Sequence, residues 1–322
     1  MNNKVILVTG GTGSFGQKFT ETVLKDHNPK AIRIYSRGEL LQHEMRRKFD
    51  DDPRLRFFIG DVRDRERIYR AMNGVDIVIH AAALKQVPTA EYNPIEAVRT
   101  NIDGAINVID AAIDNDVHKL IAISTDKAVH PINLYGATKL VMERLFAQAN
   151  VYTGARKSRF SCVRYGNVVG SRGSVVPLVL EQRKNGMITI TDEKMTRFWI
   201  TLEQGVRFVI NCMERMHGGE VFVPKIPSMK ITDLADAIAP EAGREVIGIR
   251  PGEKVDEILL TEEEATHAME FKGYFIIEPE HTFWAGDRIK DGKRLPEGFR
   301  YTSDNNDWWL SKDELNRMLE MI

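Results

Sequence analysis

Only two cysteines occur in the sequence, Cys162 and Cys212, too few for a disulfide framework. No cysteine–histidine cluster has the spacing of a zinc site, so no metal centre is expected. No apolar run is long enough to cross a bilayer. The opening MNNKVILVTGG lacks the longer apolar region and cleavage site of a signal peptide, so a soluble, cytoplasmic protein is expected. Excess charge of one sign is also missing. Lys and Arg number 45 against 46 Asp and Glu, a net charge of −1 that offers no basic field to nucleic acid. Internal repeats and low-complexity linkers are absent. What remains is ordinary for a globular chain: 322 residues, 43% hydrophobic and 28% charged, enough for one large domain or two closely joined ones.

The N-terminus begins with a signature. Val5-Ile6-Leu7-Val8 is a continuous, β-branched run of the kind that forms a parallel strand covered on both faces. The loop Gly10-Gly11-Thr12-Gly13-Ser14-Phe15-Gly16 follows, then a helix expected over 17–25. Glycines between a strand and a helix permit a tight turn and let backbone amides approach a pyrophosphate, which points to a bound dinucleotide. The next strand, Ala31 to Tyr35, ends in Ser36 and Arg37, where NAD-binding folds usually carry an acid for the ribose diol. A hydroxyl and a guanidinium suit a 2′-phosphate instead, so NADP is the expected cofactor. Asp61-Val62, at the end of a third strand, is read either as an adenine contact or, for Asp61, as a helix N-cap. Strand Val75–His80 runs into Ala81, Ala82 and Ala83, small residues that let the cofactor pass, with His80 packed rather than catalytic. Lys85 follows at the ligand-binding end of the sheet, in reach of phosphate or substrate. Pro94 to Asn115 reads as one long helix, with Asn101 inside it bonded to backbone near the site.

The richest chemistry lies in STDKAVHPINLYGATK, Ser124 to Lys139, after the buried run Leu120–Ile123. Tyr135 and Lys139 are one helical turn apart and share a face. A nearby ammonium lowers a tyrosine pKa, and such a tyrosine accepts an alcohol proton while hydride leaves the same carbon. Both residues also border the expected cofactor. Thr125, Asp126 and Lys127 put a hydroxyl, an acid and an amine in a row, which suggests more than one proton transfer. Pro131 keeps helix out of the intervening loop, so the helix is expected from about Tyr135 to Ala149.

After a sixth strand at 160–165 the pattern changes. Gly166 to Ser174 reads as a cofactor and substrate loop, with Val168 beside the cofactor, Asn167 bonding a ligand and Arg172 contacting phosphate or sugar. Arg197 and Arg250 are further candidate phosphate arginines, so a second anionic ligand such as a nucleotide diphosphate is expected. Trp308 and Trp309 read as core or interface residues. The alternation of strands and helices predicts an α/β, Rossmann-like, doubly wound parallel sheet over residues 1–165, to which about 199–225 return. Residues 166–322 are expected to form mainly a smaller mixed α/β substrate domain.

Together the glycine loop, the His80-Ala-Ala-Ala run and Tyr135-x-x-x-Lys139 resemble the extended short-chain dehydrogenase/reductase family over nearly the whole chain. The blocks STDKAVHPINLYGATK, RYGNVVGSRGSVVP, MTRFWIT, GGEVFVPKIPSMK and IRPGEK resemble the inverting UDP-N-acetylglucosamine 4,6-dehydratases within it, of the branch that starts pseudaminic acid synthesis. Gly38 stands where an aspartate often follows the Ser-Arg pair. The resemblance implies that Tyr135, assisted by Lys139, removes the C4 hydroxyl proton as hydride passes to NADP+. Thr125 polarises the C4 oxygen. Lys127, which must be neutral, removes the C5 proton. Asp126 protonates the departing C6 hydroxyl, hydride returns to C6, and reprotonation from the opposite face inverts C5. Lys85 and Asn167 are implied to contact substrate, with Arg197, Arg250 and Glu253 serving the UDP moiety. A dimer or hexamer is also implied. The competing readings are a nucleotide-sugar 4-epimerase, which does not need Asp126-Lys127, and an NADP-sensing regulator without turnover.

Overall fold

Short β-branched runs pair in parallel because each is apolar on both faces. The computed structural model describes residues 1–170, 175–280, 289 and 291–320. Strands β1 (Val5–Thr9), β2 (Ala31–Ser36), β3 (Leu55–Ile59), β4 (Ile77–His80), β5 (Lys119–Ile123) and β6 (Arg159–Val163) are all parallel, in the spatial order 3-2-1-4-5-6. A seventh parallel strand, Val221–Pro224, joins beside β6. Tyr274–Ile277, Ala268–Phe271 and Lys293–Arg294 then continue the same sheet antiparallel, to ten strands. Part of the C-terminal region therefore extends the main sheet rather than lying apart from it. Strand order reverses at β1 and β4, and a crevice outside the strand ends is where ligands enter such sheets.

The buried apolar side chains fall into separate clusters. The largest follows the ten-stranded sheet from Val5 to Tyr301. A second gathers Val176, Ile188, Ile190, Trp199, Leu234 and Leu315 around the parallel pair Met187–Ile190 and Gly243–Val246. Trp308 and Trp309 join neither cluster and are 47% and 39% exposed, so neither is a core residue.

Helix limits follow local chemistry. The glycine loop feeds a helix over Ser14–Asp26, three residues earlier than expected. The helix carrying the tyrosine runs Leu134–Gln148 and starts at an Asn133 cap, whose side chain accepts from Gly136 N at 2.7 Å. Pro94 to Asn115 is not one regular helix. It is α-helical over Pro94–Val98 and Gly104–Asp114, with a π-helical turn at Arg99–Asp103 between them. The Asn101 amide sits in that turn and ties it to the neighbouring elements. Its oxygen accepts from Leu84 N (2.8 Å), and its nitrogen donates to Leu84 O and Thr138 Oγ1, both at 2.9 Å. A wide turn of this kind commonly marks a functional region.

One buried ion network locks the tyrosine helix to the sheet. Arg164, 1% exposed, donates to both carboxylate oxygens of Glu143 at 3.0 and 2.7 Å. It also donates to both oxygens of Glu264 at 2.9 Å. Replacing Arg164 by methionine strands two buried carboxylates, and we expect a loss of about 3–5 kcal/mol in chemical denaturation. A variant as stable as the wild type would show that the network is dispensable.

Candidate active site

The strands end where the chemistry begins. Ser124 N donates to Val163 O at 2.7 Å and Asp126 N to Tyr165 O at 3.2 Å, so β5 stays tied to the β6 side as it leaves the sheet. Asp126–Ala128 then forms a single 3-10 turn capped by Thr125. Gly136 lets the tyrosine helix close on this turn, since a Cβ there would lie 2.1 Å from Lys127 O. The turn and the helix thus set Thr125, Asp126, Lys127 and Tyr135 together.

Asp126 is wholly buried and its Oδ1 is a shared acceptor. Thr125 Oγ1 donates to it at 2.7 Å and Lys127 Nζ at 3.0 Å. Lys127 also donates to Asn167 Oδ1 at 3.4 Å and pairs with Glu257 Oε1 at 3.3 Å. Burial alone would lower the Lys127 pKa, but the Asp126 and Glu257 charges overrule it and hold the lysine above its ordinary value. The neutral amine that a base requires is therefore not the resting form: burial and Arg197 push the pKa down, and the two carboxylates outweigh them.

Tyr135 differs from expectation in the source of its electrostatics. Burial pushes the phenol up to about 12 and the Asp126 charge adds to this, while the Lys127 charge and a hydrogen bond with Thr125 oppose it. Lys139 turns its Nζ to Ile123 O at 2.5 Å and Met142 Sδ at 3.0 Å. Burial lowers Lys139 from 10.5 to about 8. The unfolded chain restores the ordinary value, so the folded state bears a penalty below pH 8 that disappears as pH rises towards 10.5. We expect Lys139→Met to exceed the wild type in unfolding free energy at pH 7 by up to roughly 3 kcal/mol, with the gap closing in alkali. Denaturant titrations across that range check it, and a gap that stays flat contradicts it.

One cavity of about 1180 Å³ runs along the strand ends. Its lining includes Gly10, Thr12, Gly13, Ser14 and Phe15 from the glycine loop, then Ser36, Arg37, Asp61, Val62, Ala81 and Ala82. It continues past Lys85, Lys127, Tyr135, Lys139, Asn167 and Val168 to Arg197, Arg250 and Glu253. Gly16 is not part of this lining, nor are Thr125 and the wholly buried Asp126, which bond to each other next to Lys127. Arg172 lies outside the described residues.

A dinucleotide fits the first half. Gly10 has φ +66°, and a Cβ there would meet Ala81 O at 2.9 Å, so only glycine closes this turn. The helix after it has no side-chain cap at Gly13, which leaves its first amides for an anion. Asp61 does not cap the helix that follows, because Asp64 does so, accepting from Arg67 N at 2.9 Å. The Asp61 carboxylate is held by Arg63 at 2.7 Å and faces Arg37 at 3.9 Å. His80 is a packed residue: it bonds Thr9 Oγ1 at 2.9 Å, and burial drives it down to about 3, so it stays neutral.

The second half holds residues that sequence reasoning missed. Glu257, 2% exposed, faces Lys127, Arg197 Nε at 3.8 Å and Lys254 Nζ at 3.9 Å. Lys127 and Arg197 are distant from it in sequence, and Lys254 three residues before it does not announce them. Arg197, expected at a diphosphate, is 7% exposed and spends its guanidinium on Thr196 O (2.6 Å), Val255 O (2.8 Å) and Lys254 O (2.9 Å). Arg250 is half-exposed and lies 3.8 Å from Glu253, on a loop that Asn133 ties to the tyrosine helix through Gly252 O at 2.8 Å. The Asn133 cap was available to sequence reading as a side-chain acceptor just before the helix.

This arrangement has relatives. The family described as polysaccharide biosynthesis protein matches residues 6–279. UDP-N-acetylglucosamine 4,6-dehydratase (inverting) of Campylobacter jejuni is 54% identical over 100% of this chain and 98% of its own. A UDP-glucose 4-epimerase of Rickettsia conorii is 46% identical over 85% of this chain and 83% of its own. The X-ray structure of Pen from Bacillus thuringiensis superposes with a TM-score of 0.91 at 41% identity, covering 99% of this chain and 98% of that one. The chain belongs to the polysaccharide biosynthesis protein family of extended short-chain dehydrogenases/reductases.

Proposed function

We propose that this protein is an NADP-dependent UDP-N-acetylglucosamine 4,6-dehydratase that inverts C5. The product is UDP-2-acetamido-2,6-dideoxy-β-L-arabino-hex-4-ulose. The observation that carries the reading is Lys127, held between two carboxylates at the cavity wall and beside Tyr135. Oxidation at C4 alone needs a tyrosine base. A lysine–aspartate pair is needed only if a second carbon loses a proton and an oxygen leaves.

When bound, NADP supplies a hydride acceptor for C4 and returns the hydride to C6. Tyr135 takes the C4 hydroxyl proton, and the ammonium at Lys127 favours the tyrosinate. At rest the single hydroxyl proton of Thr125 goes to Asp126 Oδ1, so the threonine serves the C4 oxygen only once Asp126 is protonated and donates back to it. Lys127 then removes the C5 proton, made acidic by the C4 carbonyl. At rest the pair is ammonium and carboxylate. The reactive pair is amine and carboxylic acid, which differs only by one proton moved across the 3.0 Å contact to Asp126. The net charge of the site is unchanged, so burial does not oppose the shift. Asp126 supplies the proton that the C6 hydroxyl takes as it leaves. Because Asp126 is wholly buried and not part of the lining, that proton passes through Thr125 or Lys127. Lys85 and Asn167 contact the sugar, Arg250 and Glu253 serve the uridine diphosphate, and Arg197 holds Glu257 rather than phosphate.

The broader setting is proposed with it. The second core cluster supports a substrate lobe within 166–322, and the main sheet a cofactor unit from 1–165 with 199–225. Exposed Tyr92, Ile95, Val98 and Val141 on helices near the site support a homo-oligomer, a dimer or a hexamer. A cytoplasmic location and a first step towards pseudaminic acid for protein glycosylation agree with a nucleotide-sugar substrate. Among the described residues no helix is long and apolar enough to cross a membrane.

The second reading, a UDP-sugar 4-epimerase, is favoured by the Rickettsia relative's name and by Tyr135. Mass spectrometry of the product separates the two. Dehydration removes one water from the UDP-sugar, whereas an epimer keeps the substrate's mass, and that result would overturn the proposal.

A further inference from the structure

We propose that Gln42 is a positioning residue for cofactor choice: it turns the Ser36 hydroxyl proton into the crevice, where it meets a 2′-phosphate. The proposal rests on the NADP reading above and deepens it.

Gln42 lies in the helix Glu39–Lys48 and is 5% exposed. Its Nε2 contacts Ser36 O at 3.0 Å and Phe58 O at 2.9 Å. Both are backbone carbonyls, which only accept, so the amide must present its nitrogen to them. The same nitrogen lies 3.0 Å from Ser36 Oγ. The amide's two hydrogens are shared among three acceptors, and its nitrogen accepts nothing, so the Ser36 hydroxyl cannot donate to Gln42 and its single proton must point elsewhere. Among the described residues no protein acceptor takes it. Ser36 is 9% exposed and its open side lines the cavity beside Arg37.

The end of β2 thus offers two donors to a ligand, the Ser36 hydroxyl and the Arg37 guanidinium. A phosphate accepts from both, and charge-assisted bonds of this kind are the stronger ones. A ribose diol gains less, because no carboxylate stands at the end of β2 to accept from it. The nearby Asp61 is already bound by three donors of Arg63, at 3.0, 3.0 and 2.7 Å. Without Gln42 the serine proton is free to satisfy Ser36's own surroundings, and the donor is no longer preset.

The experiment measures dissociation constants for NADPH and NADH by fluorescence of the reduced nicotinamide. The two ligands differ only in the 2′-phosphate, so their ratio is unmoved by a defect that loosens the fold at large, and the double variant separates a local one. For Gln42→Met we expect NADPH to weaken about five- to tenfold, with NADH within twofold of the wild type. Ser36→Ala should lose at least as much, and the double variant should lose no more than Ser36→Ala alone. Equal weakening of both ligands by Gln42→Met, or independent losses in the double variant, would overturn the positioning role. Should Gln42→Met fail to fold, Ser36→Ala decides: an unchanged NADPH-to-NADH ratio means that the hydroxyl does not read the phosphate. A wild type that binds NADH as tightly as NADPH instead refutes the NADP reading itself, before any variant is compared.

Discussion

With Lys127 replaced by alanine, the enzyme should form C6-deoxy product at no more than about one-thousandth of the wild-type rate, the scale of a lost general base. The first hydride transfer should persist. It is read as a rise in near-ultraviolet absorbance when enzyme, NADP+ and UDP-N-acetylglucosamine are mixed in single-turnover amounts. That rise should be slower than in the wild type, because the Lys127 charge opposes the burial that pushes Tyr135 up to about 12. Lys127→Arg separates the lysine's two roles. A guanidinium keeps the positive charge beside Tyr135 but does not deprotonate, so it cannot act as the C5 base. The arginine variant should recover the speed of the absorbance rise and still make no methyl product. Product formation by either variant at more than a tenth of the wild-type rate would remove Lys127 from the base role.

Tyr135→Phe is expected to stop the reaction one step earlier. On the proposed reading the phenol takes the C4 proton, since Lys139 on the same helix face is engaged with Ile123 O. Loss of the hydroxyl should cut turnover by about 10³- to 10⁴-fold and abolish the absorbance rise as well as the methyl product. NADPH binding should change little, because the ring stays buried at 8% exposure. The pair of variants therefore orders the chemistry: tyrosine with the first hydride transfer, lysine after it. An absorbance rise in Tyr135→Phe at the wild-type rate would assign the first proton to another group.

What the sequence made legible was local. The glycine loop between strand and helix, the alternation of apolar strands with helices and the Tyr135-x-x-x-Lys139 turn each depend on residues a few positions apart, and each appears in the structure. The Thr125-Asp126-Lys127 turn was legible for the same reason. Long-range closure was not. Glu257 meets Lys127 across the chain and adds to the larger effect of Asp126, next to the lysine in the chain, in holding it above its ordinary pKa. Arg197 looked like a phosphate ligand because its carbonyl partners at 254 and 255 cannot be read from MTRFWIT. The helix from Pro94 looked continuous because side-chain bonds from Asn101 to Leu84 and Thr138 leave no mark on its apolar period. Gln42 was silent as well, since its three acceptors come from the neighbouring strands β2 and β3.

The central claim is dehydration with inversion, and a proton NMR time course in deuterated water tests it most directly. UDP-N-acetylglucosamine is supplied with catalytic NADP+. The account predicts a new C6 methyl signal, a doublet that collapses as deuterium enters C5, with L-arabino ring couplings. A C4 epimer without any methyl signal would contradict the dehydratase outright. A methyl signal with D-xylo couplings alone would leave the dehydration standing and contradict the inversion.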